Sequence, residues 1–145
     1  RDFCLSRGLG DVYKRQEKYD KSCKKNVKII KPVSFEKSFE IIAQSRVLAD
    51  SSPFFKMGVH DRIYAGMANN TVVMTDSNKY RMNILDNVAE MYSINDVDDI
   101  CAKADKLLND TAYYENMVYR AHEEYKKNYT WNNVGERIIK HFLSE

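Results

Sequence analysis

Ser45 to Asn78, SRVLADSSPFFKMGVHDRIYAGMANNTVVMTDSN, is the stretch whose reading decides the fold. Arg46 to Asp50 (RVLAD) is a short apolar run and predicts a strand. A polar loop with one proline, SSPFFKMG, follows and closes at Gly58. The pattern from about Val59 to Asn69 predicts a helix, broken at Asn69-Asn70. Thr71 to Thr75 (TVVMT) is continuous and β-branched, which suits a strand buried on both faces of a parallel sheet. Strand, crossover helix and parallel strand make one right-handed unit. Ligands of such a unit lie beyond the carboxyl ends of its strands. Two places therefore face a ligand: the loop and helix start from Ser51 to Arg62, and the turn Thr75-Asp76-Ser77-Asn78. A helix N-terminus with free N–H groups and a nearby guanidinium is a ready site for phosphate.

On the N-terminal side, Val27 to Ile30 (VKII) predicts a short strand that Pro32 ends, because proline removes a ladder donor. Ser34 is placed to cap a helix, and Phe35, Phe39, Ile42 and Ala43 then follow at helical spacing, so Ser34 to Ser45 reads as an amphipathic helix. Residues 17–26 are lysine-rich and polar. Residues 1–16 (RDFCLSRGLGDVYKRQ) show neither period nor cap signals, and DVYKRQ resembles the in-frame translation of a sequencing adapter. They read either as a genuine flexible arm or as a non-native segment set apart from the fold; on the second reading 17–145 is one domain and the native chain is expected to continue upstream.

On the C-terminal side, Ser77 to Asn87 is mixed and admits a short helix carrying Tyr80, Ile84 and Leu85. Val88 to Ser93 predicts a strand. Asn95 or Asp96 caps a helix with Val97, Ile100, Cys101, Ala104, Leu107 and Leu108 on its buried face, and with Asp98 and Asp99 favourably in its first turn. Asn109-Asp110 breaks it. The next helix runs from about Thr111 to Lys127 with Tyr114, Met117, Ala121 and Tyr125 on one stripe, and Thr130 caps a last one bearing Trp131, Val134, Ile138 and Phe142. Alternating strands and helices predict an α/β, Rossmann-like parallel sheet with helices on both faces and a C-terminal helical tail.

A chain of 145 residues suffices for one domain with a real core. With 43% apolar and 30% charged residues it reads as a soluble globular protein. A net charge of +2 is too balanced to argue for a nucleic-acid partner. No apolar run approaches the ~18 residues of a transmembrane segment, and no secretory leader is recognisable. The odd, widely spaced Cys4, Cys23 and Cys101 fit neither a disulfide framework nor a metal site, so a cytoplasmic location and no metal are the expectations.

Candidate chemistry concentrates at Gly58, His60 and Arg62, and at Thr75 and Asp76. His60 and Arg62 are two apart and do not share a helix face, but in a first turn both reach the loop side. The spacing alone leaves open whether they bind a ligand or are a polar first-turn residue and a surface charge. Arg46 begins its strand at the opposite end of the sheet and reads as structural. One glycine makes no phosphate-binding fingerprint. Gly66 sits inside a helix, where it costs up to about 1 kcal/mol against alanine; a close helix–strand approach accounts for it, and so does chance. The Thr75–Asn78 segment offers hydroxyls to a ligand or forms an Asx-type turn. His122 and His141 have no acidic or cysteine partners at ligand spacing, and no nucleophile–base arrangement is recognisable.

The block from Arg46 to Asn78 resembles the donor-binding region of group 1 glycosyltransferases of the CgeB-like, spore-maturation kind. The resemblance rests on Gly58, His60, Arg62, Ile63, Tyr64, Met67, Ala68, Val72, Val73, Thr75 and Asp76. The helix in DVDDICAKADKLLND and the tyrosine-rich run ending in YTW extend it over about residues 26–145. It implies the second half of a GT-B architecture, two Rossmann-like domains facing across a cleft. The C-terminal one binds a nucleotide-diphospho-sugar and the missing N-terminal one holds the acceptor. It implies no metal and no further cofactor, since helix dipole and basic side chains stabilise the leaving diphosphate. His60 and Arg62 would lie near the donor phosphates or transferred sugar, Gly58 in the loop before them, and Thr75 and Asp76 along the same cleft. These residues alone are not expected to turn over. One departure is marked: where relatives carry two glutamates flanking the helix, the second on the donor ribose, this chain has Met57 and Ala65, and the glycine after the helix is Asn70. The competing expectation is a non-catalytic Rossmann-like or receiver-like regulatory module, suggested by Asp50 and Asp76 at two strand ends but lacking a placed lysine.

Overall fold

The computed structural model describes residues 31–144. The strand expected at Val27–Ile30 and the segments 1–16 and 17–26 lie outside the described residues. The chain divides into two compact units, Arg1–Ser34 and Phe35–Glu145, and every regular element among the described residues belongs to the second.

Three parallel strands carry that unit: β1 (Val47–Asp50), β2 (Val72–Asp76) and β3 (Glu90–Tyr92), in the order β1-β2-β3. The register sets Val47 beside Val72 through to Asp50 beside Thr75, and Met74 beside Glu90 through to Asp76 beside Tyr92. Helix α1 (Phe35–Ala43) precedes β1, α2 (Asp61–Ala68) crosses from β1 to β2, and α3 (Lys79–Ile84) crosses from β2 to β3. Then come α4 (Val97–Asn109), α5 (Thr111–Asn128) and α6 (Trp131–Leu143). This is the expected Rossmann-like α/β arrangement with a helical C-terminus.

Alternation along β2 explains the layers. All five of its residues are buried. Val73 packs with Ile63 and Met67 of α2, with Leu85, Val88 and Ala89, and with Ala121 of α5. Val72 and Met74 point the other way, onto Leu107 of α4, Met117 of α5 and Tyr92. The central strand thus feeds two apolar clusters, and helices cover both faces of the sheet.

Gly66 marks where α2 comes closest to the strands. A Cβ there would lie 2.6 Å from Val73 Cγ2 and 3.2 Å from Leu48 Cδ2. Close approach, and not chance, therefore accounts for a glycine inside this helix. At its end, Thr71 N–H reaches back to the Gly66 carbonyl at 3.0 Å, and Asn70 sits at φ 57°. Asparagine tolerates that left-handed conformation better than most side chains do, so it closes the helix without glycine. Thr71 Oγ1 donates to the Ile42 carbonyl at 2.7 Å, tying the entry of β2 to α1.

Asp96, Asp110 and Thr130 cap α4, α5 and α6 as their sequence positions require. Two helix readings change. Helix α2 starts at Asp61 rather than Val59, because His60 is extended (φ −71°, ψ 143°) and stands outside the helix as its cap residue. On α4 the buried stripe is narrower than expected: Leu107 is buried and Ile100 and Ala104 pack inward, but Val97, Cys101 and Leu108 face out. One side of a helix against a flat sheet contacts a single row, and Cys101 and Leu108 fall one position off it.

The Gly66 contacts set a stability test. A methyl added at 2.6 Å from a fully buried valine forces strain of about 1–3 kcal/mol, against a helix-propensity gain of at most about 1 kcal/mol. Gly66→Ala is therefore expected to lower the free energy of unfolding, read as a shift of the denaturant midpoint with unchanged slope. An unchanged or higher midpoint contradicts the close-approach explanation.

Candidate functional site

The carboxyl ends of β1 and β2 each finish on an aspartate, Asp50 and Asp76, and both are buried. Two arginines answer them. Arg81, on the first helical turns after β2, is wholly buried and places Nη1 2.6 Å from Asp76 Oδ1. The same nitrogen donates to the Asp76 carbonyl at 3.0 Å, and Nη2 donates to the Ser52 carbonyl at 2.9 Å. Asp76 Oδ1 also accepts the Ser52 N–H at 2.7 Å. The loop after β1 is thereby fastened to the end of β2 through one ion pair. Charge-assisted bonds offset the desolvation of both ions, which an isolated pair at this depth would not do.

Arg62 is the second arginine and is held differently. Its Nη1 lies 3.6 Å from Asp50 Oδ1, and its side chain is 50% exposed. This is an ion pair without a hydrogen bond, so the remaining guanidinium donors are available to something else. Asp50 is otherwise engaged through Oδ2, which accepts the Ser52 hydroxyl at 2.9 Å, and through its carbonyl, which accepts the Tyr92 hydroxyl at 2.8 Å. Burial raises the Tyr92 phenol above its usual range, and the negative charges of Asp76 and Asp50 add to that.

His60 precedes α2. Its Nδ1 lies within hydrogen-bond reach of Asp61 Oδ1 and 3.4 Å from the Arg62 N–H. One ring nitrogen cannot donate to the first and accept from the second. The shorter contact decides: Nδ1–H donates to Asp61, whose carboxylate accepts the Arg62 N–H at 2.8 Å and is the effective cap of the helix. The imidazole stacks at a tilt on Phe55, with ring centroids 6.1 Å apart. Gly58 lies between them, with no crowding and no unusual backbone angle that would demand glycine.

Of the expected site residues, Gly58, His60 and Arg62 gather at the N-terminal end of α2, facing the strand ends. Thr75 and Asp76 are in the wall behind them, fully buried, with the Asp76 carboxylate already taken by Arg81 and Ser52. Asn78 caps α3 by accepting the Arg81 N–H at 2.9 Å and donates to the Phe55 carbonyl at 3.2 Å, so the turn is of the Asx kind and also steadies the loop. The sequence gives no site role to Arg81 or Tyr92, places Ser52 only within the ligand-facing loop, and points to Asp50 only under the receiver-like alternative. A usable signal existed for Arg81: an aspartate closing a strand, an Asn cap two residues on, and an arginine in the first turn thereafter return the guanidinium over the strand end. Arg46, expected to be structural, lies with its guanidinium 4.1 Å over the Tyr114 ring.

A cleft of about 570 Å³ opens along β3, lined in part by Ser77, Ser93, Asp99, Lys103 and Tyr113 and by none of Gly58, His60 and Arg62. Lys103, Asp99 and Tyr113 are spent on the edge strand itself, while the Nε of Arg120, which also lines the cleft, is without a hydrogen bond among the described residues. Lys103 Nζ donates to the Met91 carbonyl and pairs with Asp99 at 2.9 Å, and Asp99 accepts the Ser93 N–H. The Tyr113 hydroxyl bonds Glu90, and burial together with that carboxylate pushes its pKa up to about 12. The strand-end cluster, with a half-exposed arginine holding donors in reserve, is the stronger candidate. Among the described residues no three His, Cys, Asp or Glu side chains converge as a metal site, and no helix is long and apolar enough to cross a membrane.

Removing one partner of the buried pair strands the other charge, at about 3–5 kcal/mol. Asp76→Ala and Arg81→Ala are each expected to unfold at markedly lower denaturant. The double variant Asp76→Asn with Arg81→Met is expected to recover part of the loss in a double-mutant cycle. Additive losses would mean that the two side chains do not depend on each other.

A family model described as glycosyl transferase-like matches residues 7–140 of the chain. No curated protein matches it.

Proposed function

The chain belongs to the glycosyl transferase-like family, and from that premise we propose that it is the donor-binding domain of a metal-independent glycosyltransferase of the CgeB-like, group 1 kind. It takes a nucleotide-diphospho-sugar and, with an N-terminal acceptor domain in a GT-B arrangement, transfers the sugar to an acceptor. The observation that carries this reading is Arg62: a guanidinium with unspent donors, on the first turn of a helix whose N-terminus faces the strand ends.

The chemistry follows from charge. Breaking the bond between the sugar's anomeric carbon and the diphosphate leaves the electron pair on the leaving oxygen, so the terminal phosphate becomes a dianion and the diphosphate gains one negative charge. The positive end of the α2 dipole and the Arg62 fork meet that developing charge in place, without reorganising when it appears. His60 stands beside them with Nε2 unengaged among the described residues, available to a phosphate or sugar oxygen. Gly58 admits close approach of the ligand to the loop backbone. Thr75 and Asp76 border the site from behind, and Asp76, through Ser52 and Arg81, sets the height of the loop.

The test is calorimetric titration of the full chain with UDP, GDP and ADP. One of the three is expected to bind, and Arg62→Ala is expected to weaken it by about 1.5–3 kcal/mol, the worth of a charged hydrogen bond. Asp76→Ala is not a usable probe of binding, since it breaks the fold's own ion pair. If Arg62→Ala binds as the wild type does, the site is elsewhere even within a glycosyltransferase. If the folded chain binds none, the reading of this unit as a donor site fails.

A further inference from the structure

Two buried polar atoms at the strand ends are left without hydrogen bonds: Asp50 Oδ1 and Thr75 Oγ1. Asp50 is 2% exposed and Thr75 0%. The two residues are neighbours across the β1–β2 ladder, so their side chains leave the sheet on the same face. That face is the one α2 covers, because the same-face pair two residues earlier, Leu48 and Val73, meets Gly66. Both atoms therefore lie toward the N-terminal turn of α2, where Arg62 begins.

Among the described residues the rest of the cluster is satisfied except for Arg81 Nε. Asp50 Oδ2 has the Ser52 hydroxyl, and Asp76 has Arg81 and Ser52. Among the described residues the cation paired with Asp50 Oδ1 is Arg62, at 3.6 Å, too far for a hydrogen bond. A carboxylate oxygen lacking a donor, beside a hydroxyl lacking any partner, is a niche for a group that both donates and accepts.

We propose that Asp50 and Thr75 form a subsite for a sugar hydroxyl of the donor, a step that rests on the donor-binding reading above. Asp50 Oδ1 accepts the hydroxyl proton and Thr75 Oγ1 donates to the hydroxyl oxygen. Arg62 leaves Asp50 for the diphosphate as the ligand enters. One side-chain movement then uncovers the carboxylate and engages the phosphate. The hydroxyl belongs either to the nucleotide's ribose or to the transferred sugar. The chemistry is the same, and the ligands chosen for the test separate them.

The test is calorimetry on the wild type, Asp50→Asn, Thr75→Val and Arg62→Ala with UDP, 2′,3′-dideoxy-UDP and UDP-glucose, the base being exchanged for whichever the full chain prefers. Thr75→Val removes a hydroxyl that has no partner in the protein, so its unfolding midpoint is expected not to fall, which separates binding from folding. Each of Asp50→Asn and Thr75→Val is expected to weaken the hydroxyl-bearing ligand about tenfold. A ribose subsite shows the loss with UDP and none with the dideoxy compound. A subsite for the transferred sugar leaves UDP unchanged and shows the loss with UDP-glucose alone. Wild-type affinity of both variants for all three ligands, with Arg62→Ala still weakened, overturns the subsite and spares the donor-binding reading. A lowered midpoint for Thr75→Val overturns it as well, by showing that the hydroxyl serves the fold. Absence of any binding to the wild type removes both.

Discussion

Asp76 and Arg81 form the ion pair on which the ligand-facing end of this domain depends. Neither side chain reaches solvent, and the bonds around them join three pieces of chain: the end of β2, the loop after β1 and the start of α3. A pair of charges at that depth is not a gift to stability. Its desolvation is offset only because nearly every donor and acceptor is used, the exception being Arg81 Nε. What the pair secures is position. The loop from Ser51 to Gly58 has few apolar contacts of its own, exposing Phe54 and Met57, yet it is pinned at Ser52 and again at Phe55 by Asn78.

The contrast between the two arginines gives the site its logic. Arg81 is buried and fixed through both Nη atoms; Arg62 is half exposed and only loosely attached to Asp50. A fixed cation is of little use to an arriving anion, whereas a loosely held one supplies donors without first breaking hydrogen bonds. The start of α2 adds the positive end of its dipole, although the Arg62 N–H is taken by Asp61 and the Ile63 N–H by the His60 carbonyl. The helix is thus braced from below by the Gly66 contact and left open at the end where charge arrives.

The sheet's far side is treated in the opposite way. β3 is short, and its outward groups are met by Lys103 at the Met91 carbonyl and by Asp99 at the Ser93 N–H. Charged side chains across an edge discourage another strand from pairing there. The cleft along β3 is therefore a protected edge in which Lys103, Asp99 and Tyr113 already have partners.

The sequence by itself determined the element order within the described residues, the parallel sheet, the buried central strand and most helix caps. These depend on local signals: periodicity, β-branched runs, and Asp, Asn or Thr at helix starts, as at Asp96, Asp110 and Thr130. It also singled out the loop-to-helix segment with Gly58, His60 and Arg62, because a strand followed by a crossover helix fixes where ligands approach. What only the tertiary structure decided is which charges meet. Asp50 and Asp76 look alike in sequence, each closing a strand, yet Asp76 holds a buried arginine and Asp50 faces a half-exposed one. Gly66 was undecided until the valine against it was seen. Such choices depend on contacts between residues distant along the chain, Ser52 with Asp76 and Leu48 with Gly66. No local pattern encodes the distance between two strands or the depth at which a guanidinium is buried; packing sets both.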